Sequence, residues 1–235
     1  MWQNSRSTEL ELLDLGFDHF THKEYHDCLK LLARINWLLG GFRSTKKAIH
    51  RLPQKPKTIL EIGCGGGYLC QELAKFLPES KIIGIDLSAE AINHSNQHLP
   101  EHYRNQISFE VQQEKALEYH DDSFDLVTTM LVCHHMTDEE LIEFLKESYR
   151  ICSEAVIIND LHRHFIAYAS YSIIAPILFP NRLIWTDGRL SIRRAFKKFD
   201  WITLLQRAGF SENQYSLNWN FPFRWTLTIR KGSVE

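Results

Sequence analysis

A glutamate, three glycines at alternate positions and an aspartate about twenty residues further on form the part of this chain best suited to hold a ligand. Glu61 stands two residues before the first glycine in Glu61-Ile-Gly-Cys-Gly-Gly-Gly67, and Asp86 closes the apolar run Lys81-Ile-Ile-Gly-Ile-Asp86. Glycines let the backbone turn tightly and come close to a ligand, because no Cβ intervenes. A carboxylate at the end of a second strand is placed to accept hydrogen bonds from ribose hydroxyls. The glycine spacing alone would also suit a pyrophosphate at a helix N-terminus. Glu61 argues against that ligand, since a second carboxylate repels phosphate and attracts a cation. The expected ligand is a nucleoside that carries positive charge and no phosphate. Two histidine clusters add proton chemistry near neutral pH: His134-His135, and His162 with His164 in Asn159-Asp-Leu-His-Arg-His164.

Strands must carry these residues and helices must cover them. Residues 58–62 are apolar and β-branched, which reads as a buried strand. Tyr68 to Phe76 has helical periodicity through Leu69, Leu73 and Phe76, and 82–85 reads as a second strand. Ala89 to His98 reads as a helix, Ile107 to Val111 as a third strand and Asp125 to Thr129 as a fourth. Thr137-Asp-Glu-Glu140 has the spacing of a capping box and opens a helix that runs to about Arg150. Ala155 to Asn159 is a fifth strand. Asp200 is placed to cap a further helix that Gly209 ends, and Asn213 to Trp219 with Trp225 to Arg230 make a closing antiparallel pair. Strands alternating with helices imply an α/β fold, a doubly wound, mostly parallel sheet covered on both faces. Upstream, Glu9 to Leu52 is amphipathic and helical, with Gly40-Gly41 as its stop and Pro53 to Pro56 as a linker. Residues 1–52 are therefore read as a helical cap over the pocket, and 53–235 as the domain that binds the ligand.

At this point the motifs resemble a family. Glu61 to Gly67 with Ile85-Asp86 closely resembles the first two motifs of class I S-adenosylmethionine-dependent methyltransferases. The stretch Ser123-Phe-Asp-Leu-Val-Thr-Thr-Met-Leu-Val-Cys-His-His-Met136 resembles their fourth strand and the loop after it, where cofactor and substrate meet. The resemblance implies a Rossmann-like seven-stranded sheet with an antiparallel closing strand, and S-adenosyl-L-methionine as cofactor, a molecule with a sulfonium, an ammonium and no phosphate. It implies that Glu61, Gly63, Cys64, Gly65 and Gly67 hold the methionine portion, Asp86 the ribose and Leu87 the adenine face, with Met130 among the cofactor contacts. Many members place an aspartate after the third strand to accept from the adenine amino group. Here Gln113 or Glu114 stands in its place, and the Gln113 amide oxygen can serve as the acceptor.

The segments Ile35-Asn-Trp-Leu-Leu-Gly-Gly41, Asn159 to His164, and Leu190-Ser-Ile-Arg-Arg-Ala-Phe196 before Ala208-Gly-Phe210 are similar to a bacterial subgroup associated with phenolic and polyketide products. The resemblance extends to quinone-biosynthesis methyltransferases that act on ring carbon. The expected reaction is O-methylation of a phenolic hydroxyl on an apolar aromatic or polyketide-like small molecule. Its alternative is C-methylation in quinone biosynthesis at a membrane surface. His135, His162 and His164 are the candidates to accept the phenolic proton or orient the substrate. Asp160 either orients a histidine or caps the helix that follows, and capping is favoured.

Composition narrows the other classes. A chain of 235 residues suits one α/β domain. A net charge of -2 disfavours a protein that holds nucleic acid through phosphates. An enzyme acting on exocyclic base amines would resemble its family in an Asn/Asp-Pro-Pro-aromatic tetrapeptide where this chain has Met130-Leu-Val-Cys133, and no cysteine follows a proline as a cytosine-carbon methyltransferase would need. Five scattered cysteines and the lack of a signal-peptide pattern lead to reduced thiols, no structural metal and a cytoplasmic location. His19, His22 and His26 have metal-like spacing without a metal motif. Phe165 to Pro180 is apolar and uncharged, interrupted by Pro176. It is expected to form a lid over the substrate pocket, with a core helix or a bilayer contact as the other readings. Arg189 to Lys198 is basic and reads as a solvated helix face backed by Leu190, Ile192, Ala195, Phe196 and Phe199.

Overall fold

Alternate residues of the first strand point to opposite faces of a sheet, and each face meets a core of its own. The computed structural model describes residues 5–113 and 117–232, so Glu114 lies outside the described residues. The strands are β1 (Thr58–Ile62), β2 (Lys81–Asp86), β3 (Ile107–Val111), β4 (Phe124–Met130), β5 (Cys152–Leu161), β6 (Tyr215–Asn220) and β7 (Arg224–Arg230). They form one sheet in the order β3-β2-β1-β4-β5-β7-β6. The first five are parallel, and β7 runs antiparallel to both β5 and β6. This is the Rossmann-like seven-stranded arrangement that the motifs implied.

Leu60 and Ile62 face a core with Leu141 and Leu145 of α6 (Asp138–Ile151) and Trp201, Leu204 and Leu205 of α9 (Lys198–Arg207). Ile59 faces the other core, built with Phe42 and Ile49 of α3 (Gly41–His50), Leu69 and Leu73 of α4 (Tyr68–Phe76), and Ile92 of α5 (Ala89–His98). A third core joins Phe20 and the helix α2 (His22–Leu38) to the hairpin of α7 (Phe165–Leu178) and α8 (Arg182–Arg194) through Cys28, Ile35, Ala175, Phe179, Leu183 and Ile184. Most helical stability in proteins comes from tertiary packing of an apolar face, and this packing holds α2 in place. Chain order reverses around β1, whose neighbours are β2 and β4. The crevice at the carboxyl ends of β1 and β4 is where such sheets bind ligands.

Several local expectations change. The helical stretch from Glu9 to Leu52 is divided into α1 (Leu12–Leu15), α2 and α3. Gly40 does stop a helix, but its left-handed φ of 70° also starts α3 at once. That helix packs on β5 and β7 as part of the sheet's cover. Pro176 does not interrupt α7, which runs on to Leu178. Having no N–H, it leaves one rung of the helical ladder unmade in the last turns of the helix. Asp200 is the third residue of α9 and not its cap. One Asp200 oxygen accepts from the Lys197 backbone N–H at 2.7 Å, while Gly209 follows the helix as expected. Ile192, Ala195 and Phe196 are buried as the apolar backing of the basic run, but Arg194 is buried with them and Phe199 is exposed. No helix among the described residues is long and apolar enough to cross a membrane.

Candidate active site

One cleft of roughly 1920 Å³ runs from the glycine loop after β1 to the histidines after β4. At the loop end, Gly63 and Gly65 adopt left-handed φ values of 70° and 52°. A Cβ on Gly63 would stand 2.4 Å from Val132 Cγ2, so this glycine lets the loops after β1 and β4 touch. A Cβ on Gly65 would meet only Leu29 Cδ2, at 3.7 Å, and would enter the cleft. The backbone N–H groups of Gly63 and Cys64 both donate to the Ile85 carbonyl, that of Gly65 to Asp86 and that of Gly67 to the Cys64 carbonyl. A loop whose N–H groups are taken in this way has little to offer a phosphate.

The two acids behave as the ligand argument requires. Asp86 accepts from Gly65 N–H at 2.8 Å on one oxygen and from Ser88 N–H at 2.9 Å on the other. Each oxygen keeps a lone pair for a hydroxyl donor. Burial raises the Asp86 carboxyl above its usual range. Glu61 is fully buried, accepts from the Cys70 thiol at 2.8 Å, and burial pushes it up to about 8. Neither carboxyl has a lysine or arginine partner among the described residues. Two uncompensated acids at one end of a cleft suit a cation-bearing nucleoside and repel a pyrophosphate. The residues present therefore fit S-adenosylmethionine.

Among the expected cofactor residues, Glu61, Gly63, Cys64, Gly65, Asp86, Leu87 and Met130 line the cleft. Gly67 does not. It packs its backbone against Phe109 and Ser95, where a Cβ would stand 2.4 Å from the Phe109 ring. Gln113 also lies outside, and Gln112 lines the cleft in its place, because alternate residues leaving β3 face opposite ways. Sequence reasoning missed Tyr25, Leu29 and Leu32 of α2, which cover the glycine loop. Tyr25 hydroxyl donates to Ser88 Oγ at 3.1 Å and so ties α2 to the start of α5. The reading of residues 1–52 as a cap over the pocket was the available signal, but it singled out none of these residues.

At the other end stand His134 and His135. Their ring Nδ1 atoms lie 2.7 Å from Asp160 Oδ1 and 2.9 Å from Asp14 Oδ1. Both Nε2 atoms turn toward the buried carboxyl of Glu11, at 3.7 Å and 3.9 Å. Burial pushes Glu11 up to about 7. For Asp14, burial opposes ionisation, but the hydrogen bond and charge of His135 with Arg194 outweigh it and hold the carboxyl at about 2. Burial likewise opposes ionisation of Asp160, and His134 together with two backbone N–H groups pulls it below its usual range. Asp160 thus orients a histidine. The helix after it is capped by His164, whose Nδ1 accepts from Ile166 N–H.

That finding moves two of the three candidate bases. His162 and His164 do not line the cleft. His162 accepts from Trp219 Nε1 at 3.2 Å and packs on Trp225, and burial lowers it to about 4. His164 stacks on Phe223 at 4.8 Å. Alternation along the strand separates Asn159 from Asp160, whereas His162 is held off the cleft by its backbone bond to Phe223 O and its packing on Trp225. Of the three, His135 is the one at the cleft. The expected lid is also displaced: no residue of α7 lines the cleft. Leu10, Leu13, Phe17 and Phe20 of the N-terminal segment line it instead.

The two charged motifs act as ties around this end. Asn159 donates to Gly41 O, Ser44 Oγ and Thr45 Oγ1 and accepts from Arg224 Nη1, which fixes α3 to the sheet. Arg163 donates to Ala195 O and Asp200. Arg194 donates to the His134 and His135 carbonyls, to Glu9 O and to Asp14. Ser191 donates to Glu11 Oε1 at 2.9 Å. Arg6 lies over the Phe196 ring and donates to Asp138 and to the Arg194 and Met136 carbonyls. The N-terminal segment is thereby clamped across the histidine loop. The histidines His22 and His26 both meet one oxygen of Glu90 within hydrogen-bond distance.

Comparison with known proteins agrees with this geometry. Residues 59–155 match the family described as a methyltransferase domain. Norajmaline N-methyltransferase of Rauvolfia serpentina is 35% identical over 120 residues, covering 47% of this chain and 38% of the relative. Ubiquinone biosynthesis O-methyltransferase of Coxiella burnetii is 28% identical over 122 residues, covering 51% of this chain and 50% of the relative. The chain thus spans half or less of the length of these relatives. The plantazolicin methyltransferase BpumL in complex with SAH superposes with a TM-score of 0.69 at 17% identity, over 92% of this chain and 91% of that one. A SAM-dependent methyltransferase from Aquifex aeolicus gives 0.63 at 15% identity, over 90% and 98%. At such identities these two establish the fold.

Proposed function

We propose, for a chain that belongs by fold and by its matched domain to the class I methyltransferases, the transfer of a methyl group from S-adenosylmethionine to a phenolic oxygen of an apolar aromatic small molecule. The observation that carries this reading is the continuity of one cleft from the paired acids at the glycine loop to His135. Bound there, S-adenosylmethionine supplies the electrophilic methyl group. Glu61 would meet its positive charge, Asp86 its ribose hydroxyls, and Leu87 with Gln112 its base. Leu29 and Tyr25 exclude water from above the loop. Orientation and exclusion of water supply much of the acceleration of such a transfer.

The choice of oxygen rests on the histidine. Relatives act on nitrogen and on oxygen, by their names. A phenol must lose its proton to attack, and a carboxylate-backed histidine facing the cleft can take it or fix the hydroxyl. Asp14 holds the His135 Nδ1 side, and Nε2, turned toward Glu11, would be the atom that takes the proton. Leu10, Leu13, Phe17 and Phe20 give the cleft apolar walls that suit an aromatic ring.

The test is methyl transfer from labelled cofactor to a panel of phenols and quinols, read by mass shift. Asp86→Ala should abolish binding of S-adenosylhomocysteine in calorimetry. His135→Asn should keep that binding and lose turnover on phenols at neutral pH. Full turnover by His135→Asn would remove the oxygen reading.

A second reading, ring-carbon methylation of a quinone at a membrane surface, is favoured by α7, whose Ile173, Ile174, Ile177 and Leu178 are exposed and uncharged.

A further inference from the structure

We propose that Glu11, His134 and His135 together bind one divalent transition-metal ion, with zinc the best match, at the acceptor end of the cleft. One ligand atom from each of the three lies within 4.8 Å of the other two. Two ligands of a tetrahedral ion with bonds of about 2.1 Å stand about 3.4 Å apart. His134 Nε2 lies 3.7 Å from Glu11 Oε1 and His135 Nε2 3.9 Å from Glu11 Oε2, too long for direct hydrogen bonds and spaced so that the carboxylate and both rings can face one ion.

The lone pairs point the right way. Asp160 and Asp14 sit against the two Nδ1 atoms, so these carry the protons and donate. Each Nε2 then presents its lone pair toward Glu11. Histidines that ligate a metal almost always donate their other N–H to a carboxylate or carbonyl, and here both do. The supports continue outward. Ser191 Oγ holds Glu11 Oε1 at 2.9 Å, and Arg194 Nη1 holds Asp14 at 2.8 Å. Asp14 and Asp187 lie beside Glu11, which has no lysine or arginine partner among the described residues, so a cation there would meet uncompensated negative charge. Two histidines and one carboxylate leave open positions, and both histidines line the cleft.

A cation there would make a hydroxyl on its open side more acidic, with the proton passing to water. This role rests on the methyltransferase reading, whereas ion binding does not. It would also change the part played by His135, whose Nε2 becomes a ligand and not the proton acceptor.

The experiment uses the full chain, stripped with chelator and titrated with Zn²⁺ and with Co²⁺. Elemental analysis after dialysis should find one ion per chain, and Co²⁺ should show the visible bands of a low-symmetry site with imidazole ligands. Glu11→Gln and His135→Asn should each weaken uptake by about 100-fold or more. Because Glu11 is buried, thermal melting checks the fold, and the part-exposed His135→Asn keeps the test decisive. His26→Ala, which alters the other histidine cluster, should leave uptake intact. Lack of stoichiometric uptake, or unchanged uptake in both ligand variants, overturns the site. Binding of S-adenosylhomocysteine to the same stripped protein is measured in parallel. If it persists while metal uptake fails, the ion proposal falls and the cofactor reading stands.

Discussion

Gly63 and Gly65 are two residues apart and both left-handed, yet the structure assigns their substitution to different observables. An L-residue held in the left-handed region costs about 1–2 kcal/mol, and both alanine variants carry that strain. Gly63→Ala adds overpacking, because its Cβ would lie 2.4 Å from Val132 Cγ2, and such crowding costs about 1–3 kcal/mol. The expected loss for Gly63→Ala is therefore about 2–5 kcal/mol of stability. Gly65→Ala has no protein atom closer than 3.7 Å, so its loss should stop at the strain. Its Cβ instead occupies space in the cleft, and S-adenosylhomocysteine should bind at least about tenfold more weakly, or about 1.4 kcal/mol. Urea unfolding and calorimetry on both variants separate the two effects. A double-mutant cycle with Val132→Ala should recover the overpacking part for Gly63 and nothing for Gly65. Equal destabilisation of the two variants, or undiminished ligand affinity in Gly65→Ala, would refute the placement of the loop.

Three further outcomes follow from other parts of the molecule. Burial raises Glu61 to about 8 in the free protein, so a cationic ligand should displace its proton. Affinity for S-adenosylmethionine should then rise with pH up to about that value and flatten above it; calorimetry in buffers of different ionisation enthalpy reads the proton, and a slope that survives in Glu61→Gln would sink the assignment. His94 and His162 are both lowered by burial from 6.5 to about 4. The unfolded chain takes up their protons first, so their contribution to stability is complete above pH 6.5 and is lost as pH falls toward 4. His162→Gln, which keeps an acceptor for Trp219, should reduce that acid slope in urea unfolding series, and an unchanged slope would count against it. If α7 meets lipid, co-sedimentation with vesicles should fall several-fold in Ile173→Ser/Ile177→Ser with methyl transfer to soluble phenols unchanged; equal sedimentation of both forms would discard the membrane reading.

The sheet was legible because its signals are local. Apolar β-branched runs at 58–62 and 82–85, the glycines between them and the Thr137–Glu140 capping box each report on neighbours within a few residues. The acids Glu61 and Asp86 were legible for the same reason, since strand ends fix their place. The acceptor end was not. His135 belongs to the cleft while His162 and His164 do not, and the difference depends on which way an extended strand end points. Asp160 has the local look of a helix cap, yet its partner is His134, brought near by the pairing of β5 with β4. Arg194 looks like one charge of a solvated run. Burial against two carbonyls and Asp14 is a tertiary fact that the spacing of Arg189 to Lys198 cannot express. The covering of the glycine loop by α2 is likewise a matter of packing across about forty residues of chain.

Those displaced expectations share one cause. The charged motifs after β5 and before α9 were candidates for chemistry because they are polar and clustered. In the fold most of their polar groups are consumed in holding backbone: Asn159 on α3, Arg163 on Ala195, and Arg194 on the histidine loop and on Glu9. Buried polar groups must be satisfied, and a network of this kind specifies one arrangement of the N-terminal segment over the loop after β4. Chemistry is left to the groups that the network positions without saturating. At one end these are Glu61 and Asp86, which lack cationic partners. At the other they are Glu11 and the two Nε2 atoms, close together but not hydrogen-bonded to one another. In the proposed reaction the methyl donor and the acceptor would meet between these two acidic ends, each of which suits a positive charge.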